Sequence, residues 1–135
     1  MRKSLKMQPE HWQAMHEHVA SLAPIEACGM LAGKGDRVEA ILLVRNAEQS
    51  PVRFRMDPLE QLNAFEWINA KGLDLLGIFH SHPSGPATVS RTDIADATYE
   101  VVHVIWSRKG SAWSARGFWI KKEQAMEVEL QVLVE

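Results

Sequence analysis

Two histidines and an aspartate have the spacing expected of ligands to one metal ion. His80 and His82 lie two residues apart at the end of the apolar stretch 75–80. Side chains two apart on a strand point to the same side, so both imidazoles can reach a common point. Asp93 can supply a third ligand if the loop before it folds back. This donor set is typical of zinc, and we predict a zinc site at His80, His82 and Asp93.

Three protein ligands leave one position of a tetrahedral zinc ion open for water, which is the arrangement of catalytic sites. Zinc brings the pKa of bound water to about 7 and polarises a carbonyl, so the pattern predicts a hydrolase. Glu26 stands at the mouth of an apolar strand, where an unpaired carboxylate is unfavourable, and it is the candidate acid and base. Ser90, three residues before Asp93, is the candidate donor to a developing oxyanion.

Each of these residues also has a purely structural interpretation. The histidines fit the end of a strand without any metal. Ser90 and Asp93 fit the start of a helix in a capping-box-like pattern, which is compatible with a catalytic role for Ser90. Glu26 fits a solvated loop.

Cys28 is the single cysteine, so the chain forms no internal disulfide, which suits a reducing compartment. Its position near Glu26 suggests a cysteine nucleophile acting with His80. A small thiol between Ala27 and Gly29 is more typical of a core residue, and we favour that interpretation.

Three more histidines, His11, His16 and His18, fall on the first predicted helix. His16 and His18 are two apart, so on a helix they point to different sides and make no metal pair. We expect all three to face solvent.

Apolar periodicity places the elements that must carry the site. Helices are predicted over residues 9–22 and 57–72, and a third begins near residue 93. Strands are predicted over residues 27–32, 38–44, 54–56, 75–80, 101–106, 113–120 and 126–132. Strand 75–80 is apolar on both faces and is therefore central, with residues 81–92 as the following loop. Helices interleaved with hairpins indicate an α/β fold, a mixed sheet flanked by helices.

Length and composition fit one domain over residues 1–135, with 46% hydrophobic and 24% charged residues. The formal net charge of -2 gives no basic surface for nucleic acid and no polybasic stretch for a membrane. No apolar run reaches the ~20 residues of a membrane span, and polar residues follow the basic start where a signal peptide would be apolar. We therefore predict a cytoplasmic protein.

These motifs together resemble the JAMM, or MPN-plus, metalloprotease family in its small prokaryotic form. The resemblance covers about residues 24–97. It rests on His80-Ser81-His82-Pro83, Asp93 after ten further residues, Ser90 three before it, an upstream glutamate followed by Cys28-Gly29-Met30-Leu31, Asn46, Phe54-Arg55-Met56-Asp57-Pro58 and Gly77-Ile78-Phe79.

The resemblance implies a cytidine-deaminase-like sandwich, with His80, His82 and Asp93 as zinc ligands. It implies that Glu26 activates the zinc-bound water and that Ser90 steadies the tetrahedral intermediate. The implied reaction is hydrolysis of an amide or isopeptide bond after the C-terminal glycine of a ubiquitin-like protein. The short segments around the site leave little room for the insertions that grip ubiquitin, so a sulfur-carrier protein is the favoured substrate. The alternatives are a non-catalytic scaffold of the MPN type and a hydrolase of small amides.

Overall fold

The computed structural model describes residues 4–86, 99–121 and 124–134. Two helices lie in these ranges, α1 (Pro9–Leu22) and α2 (Pro58–Ala70). The strands are β1 (Ser4–Met7), β2 (Cys28–Lys34), β3 (Arg37–Val44), β4 (Asp74–His82), β5 (Val102–Lys109), β6 (Ala112–Lys121) and β7 (Gln124–Val132).

The strands of the described residues form one sheet in the order β1-β3-β2-β4-β5-β6-β7. The sheet closes because β1 pairs in parallel with β7 along its length and with β3 at Lys6 and Arg37. β4 and β5 are also parallel, while the other neighbours are antiparallel. The predicted mixed sheet with flanking helices is confirmed, and β4 is central as its apolar faces indicated.

Both helices begin where the sequence predicts. Pro9 is the first residue of α1, and the Gln8 and His11 side chains cap its backbone reciprocally. Asp57 caps α2 by accepting hydrogen bonds from two amide N–H groups of its first turn, with Pro58 in the first position. These caps determine the residue at which each helix begins.

Side chains on the two faces of the strands belong to separate cores, as the alternation of side chains along a strand requires. α1 contributes Met15 and Val19 to one core, which also holds Phe79 and Trp106. α2 packs on the other face. The second core contains Cys28, Met30, Ala32, Val44, Met56, Ala64, Ile68 and Ile78.

Most predicted strands shift by one to three residues at their ends, and three larger differences concern the elements around the site and the closure of the sheet. Ser81 and His82, assigned to a loop, belong to β4, because the pairing with β5 continues through both residues. The segment 54–56 is not a strand and contributes one isolated bridge, between Asn46 and Met56. β1 was not predicted at all. The helix predicted near residue 93 lies outside the described residues.

Neither described helix is long and apolar enough to span a bilayer.

Candidate active site

β4 presents His80 and His82 side by side at its end. Their Nε2 atoms are 3.0 Å apart and their ring centroids 4.9 Å apart. His80 is fully buried. The Nδ1 atom of His82 lies 2.9 Å from the carbonyl oxygen of Pro86, a contact in which the nitrogen donates. That bond leaves the lone pair of His82 on Nε2, on the side that faces His80.

Glu26 joins the two histidines. The residue is only 3% exposed, although its side chain ends in a carboxylate. One carboxylate oxygen and one nitrogen from each imidazole all lie within 4.8 Å of one another. A buried carboxylate beside two imidazoles is stabilised by a cation, so this group is suited to holding or facing a metal ion.

The geometry of the histidine pair fits zinc. Zinc–nitrogen bonds of ~2.0–2.1 Å in a tetrahedron place two ligand nitrogens about 3.3 Å apart. The observed separation of 3.0 Å between the Nε2 atoms is close to that value. Nitrogen and oxygen donors together are a usual zinc ligand set. Asp93 and Ser90 lie outside the described residues, so their predicted roles stay predictions.

Phe54 covers His80. The two rings stack with centroids 4.5 Å apart and an angle of 21° between their planes. The ring of Phe54 comes from the loop between β3 and α2, which folds back over the end of β4. This apolar cover keeps water from one face of the imidazole and limits its rotation.

Two buried polar side chains tie the segments of the site together, and chemical reasoning from the sequence had assigned a role to neither. Ser81, between the histidines, accepts a hydrogen bond from the amide of Ala27. Asn46, which follows β3, donates to the carbonyl oxygen of Glu26. An uncharged amide side chain two residues after the last residue of an apolar strand is the sequence signal that could have drawn attention to Asn46.

The structure argues against a nucleophilic role for Cys28. Its thiol is fully buried and lies 3.5 Å from the carbonyl oxygen of Val44, to which it donates. Burial, with the nearby charges of Glu26 and Glu60, raises the pKa of the Cys28 thiol to about 12. A thiol that stays protonated at neutral pH is a poor nucleophile, and the interpretation as a core residue is confirmed.

His18 does not face solvent as predicted. It is half-buried, its Nε2 atom lies 3.2 Å from the carbonyl oxygen of Cys28, and its ring meets Phe79 edge-on. Burial lowers the pKa of His18 below its ordinary value. The prediction failed because α1 lies close enough to the sheet for the imidazole to reach the backbone of β2.

A mixed sheet that carries a buried glutamate and a histidine pair at one end defines a JAB-type domain. The chain belongs to the prokaryotic JAB family. The model of this family, described as "Prokaryotic homologs of the JAB domain", matches residues 8–121 of the chain. Together with the Glu26–His80–His82 group, this membership makes the chain a peptidase of the JAMM type.

Known proteins are similar in sequence to this chain over most of its length. A desampylase from Pyrococcus furiosus is 35% identical over 128 residues, 94% of this chain and 89% of that protein. The "Probable TtuB-protein conjugate cleaving protease" of Thermus thermophilus is 38% identical over 117 residues, 86% of this chain and 74% of that protein. A protein of Desulfitobacterium hafniense with a solution structure is 34% identical, with a TM-score of 0.87 over 97% of this chain and 94% of its own.

Proposed function

We propose that this chain is a zinc-dependent peptidase that hydrolyses the amide bond after the C-terminal glycine of a ubiquitin-like or sulfur-carrier protein. The observation that carries the proposal is the buried carboxylate of Glu26 within 4.8 Å of the donor atoms of His80 and His82. The names of the relatives, a desampylase and a conjugate cleaving protease, support a protein conjugate as the substrate. In this proposal residues 1–135 form one catalytic domain.

His80 and His82 would hold the zinc ion through Nε2, with Asp93 as the third ligand. When bound, zinc polarises the scissile carbonyl and makes its water acidic enough to lose a proton near neutral pH. The hydrogen bond from His82 to Pro86 keeps that imidazole in the tautomer able to bind.

Glu26 moves the protons. Its carboxylate accepts the proton of the attacking water and passes it to the nitrogen of the leaving amine. The burial of Glu26 favours this proton transfer, because bulk water does not compete for the carboxylate oxygens. Ser90 would donate to the oxyanion that forms on the scissile carbonyl.

The substrate would present its Gly-Gly tail in an extended form, which suits addition beside a strand. Glycine suits a narrow substrate channel, because it has no side chain that could clash with the walls. A location in the cytoplasm is part of the proposal, because the single buried thiol of Cys28 suits a reducing compartment.

The test combines metal analysis with cleavage of a ubiquitin-like fusion that has a Gly-Gly junction. We expect about one zinc per chain, loss of turnover with chelator and recovery with added zinc. Glu26→Gln should keep the zinc and lose nearly all turnover, while His82→Ala should lose both. Glu17→Gln, the same change at an exposed position of α1, is the matched control and should behave as wild type.

Three results would contradict the proposal or a part of it. A wild-type protein that binds no zinc and cleaves no fusion would favour the scaffold alternative. Turnover of short amides with none of the protein fusions would favour a hydrolase of small amides. Normal turnover in Glu26→Gln would remove Glu26 from the mechanism.

A further inference from the structure

We propose that Asn46 is the positioning residue of this site, because one buried amide side chain sets both the backbone of Glu26 and the loop that carries Phe54. Its consequence for catalysis rests on the proposed function. Its structural consequence does not, and can be measured without a substrate.

The Asn46 side chain uses its whole hydrogen-bonding capacity. It is 2% exposed. Nδ2 donates to the carbonyl oxygens of Glu26 and Arg53, both at 3.0 Å. Oδ1 accepts from the amides of Glu48 and Arg55, both at 3.0 Å. A primary amide offers two donors and two acceptor sites, so every one is filled.

Glu26 depends on this loop because it lies ahead of the sheet. The pairing of β2 with its neighbours begins at Cys28, two residues later. The amide of Glu26 donates to the carbonyl oxygen of Ser50 at 2.9 Å, and its carbonyl accepts from Asn46 at 3.0 Å. Both backbone groups of the proposed acid and base are thus held by the segment that begins at Asn46.

Phe54 depends on the same side chain. Arg53 and Arg55, the residues on either side of it, each make a hydrogen bond to Asn46, one through its carbonyl and the other through its amide. The backbone is therefore clamped immediately before and after Phe54. This clamp presents the ring to His80, where it stacks at 4.5 Å.

Asn46 thereby links the acid and base to the imidazole of a proposed ligand through hydrogen bonds to backbone groups. No other common residue can replace it. Aspartate has the same shape but lacks both donors, and glutamine places its amide one methylene further out. A displacement of ~1 Å at a catalytic group can cost about 100-fold in rate, so this linkage is expected to act on kcat.

The experiment compares Asn46→Ala with Asn46→Asp. Alanine removes all four hydrogen bonds, whereas aspartate keeps the two acceptor bonds to Glu48 and Arg55. We expect both variants to bind zinc at the wild-type stoichiometry. We also expect both to lose roughly 100-fold in kcat with little change in KM, because both release the carbonyl of Glu26.

Amide hydrogen exchange gives the readout that does not need activity. In Asn46→Ala, exchange should accelerate at the amides of residues 25–27, 47–50 and 52–55, and in the sheet it should stay as in wild type. In Asn46→Asp, the amides of Glu48 and Arg55 should remain protected while the amides of residues 25–27 exchange faster. Asn63→Ala, the same change at an exposed position of α2 outside this loop, is the matched control and should behave as wild type in both measurements.

A kcat near the wild-type value in both variants would overturn the catalytic part of the proposal, as would full rescue by aspartate. Unchanged exchange at the amides of residues 25–27 in both variants would overturn the positioning itself. If the wild-type protein cleaves no substrate, the proposed function fails, and hydrogen exchange still decides whether Asn46 holds Glu26.

Discussion

The hydroxyl oxygen of Ser81 accepts a hydrogen bond of 2.8 Å from the amide of Ala27, and the amide of Ser81 donates to the carbonyl oxygen of Ala27 at 3.0 Å. Ala27 follows Glu26, and Ser81 separates His80 from His82. The two hydrogen bonds therefore extend the contact between β2 and β4 past the regular pairing that begins at Cys28 and His80. They set the distance between the glutamate and the histidines.

Ser81→Ala should weaken this contact. It leaves the buried amide of Ala27 without its acceptor, which costs about 1–3 kcal/mol of the free energy of unfolding. We expect turnover to fall by about 10-fold, because Glu26 loses its register with the histidines. Urea unfolding and steady-state kinetics measure the two effects. Stability equal to that of wild type would contradict the importance of this bond.

Cys28 should be inert in the folded protein. Because the pKa of the thiol is raised to about 12 by burial, almost no thiolate exists at neutral pH. A disulfide reagent should label it only after unfolding. Cys28→Ala should lose about 1 kcal/mol of stability and keep its turnover. Rapid labelling of the native protein, or a large loss of kcat in the variant, would revive the nucleophile hypothesis.

His18 should make stability depend on pH. Burial lowers the pKa of His18 in the folded protein below its ordinary value of 6.5, so the unfolded chain binds the proton more readily. The free energy of unfolding therefore falls as pH drops through the ordinary value, and this loss levels off below the lowered one. Chemical denaturation between ~pH 7 and ~pH 5 should show a smaller fall in His18→Gln than in wild type. Equal slopes would refute this contribution.

Gly29→Ala should be strongly destabilising. A Cβ atom at Gly29 would overlap the ring of Phe79 and lie 2.5 Å from the carbonyl oxygen of Leu42. Either Phe79 or the backbone of β3 must move, at a cost of about 1–3 kcal/mol. Gly85→Ala is the control, because among the described residues the nearest atom to its Cβ would be the Cβ of His82, at an ordinary 3.6 Å. Thermal unfolding of the two variants should differ clearly.

The placements that the sequence predicted and the structure shows are mainly those that local chemistry determines. His80 and His82 share a face because a strand alternates, and the structure brings Glu26 to them as expected. The start of α2 followed from Asp57 and Pro58, since a cap and a first-turn proline act within a few residues.

The parts that were missed depend on contacts between distant segments. Asn46 and Glu26 are 20 residues apart, and Ser81 and Ala27 are 54 apart. No local pattern encodes such pairs. β1 has four residues, of which Leu5 and Met7 are buried, too short a run for periodicity to distinguish from a loop. His18 was misjudged for the same reason, because its partner on β2 is ten residues away along the chain.

The parallel alignment of β1 with β7 has a mechanical consequence. Ser4 pairs with Glu129, and Met7 pairs with Val132, so the two strands run in the same direction side by side. A force that pulls Ser4 and Val132 apart along the strands loads all of these hydrogen bonds together, in shear, instead of breaking them one at a time. The pairing of β1 with β7, which closes the sheet, is therefore oriented to resist a pulling force applied through these two strands.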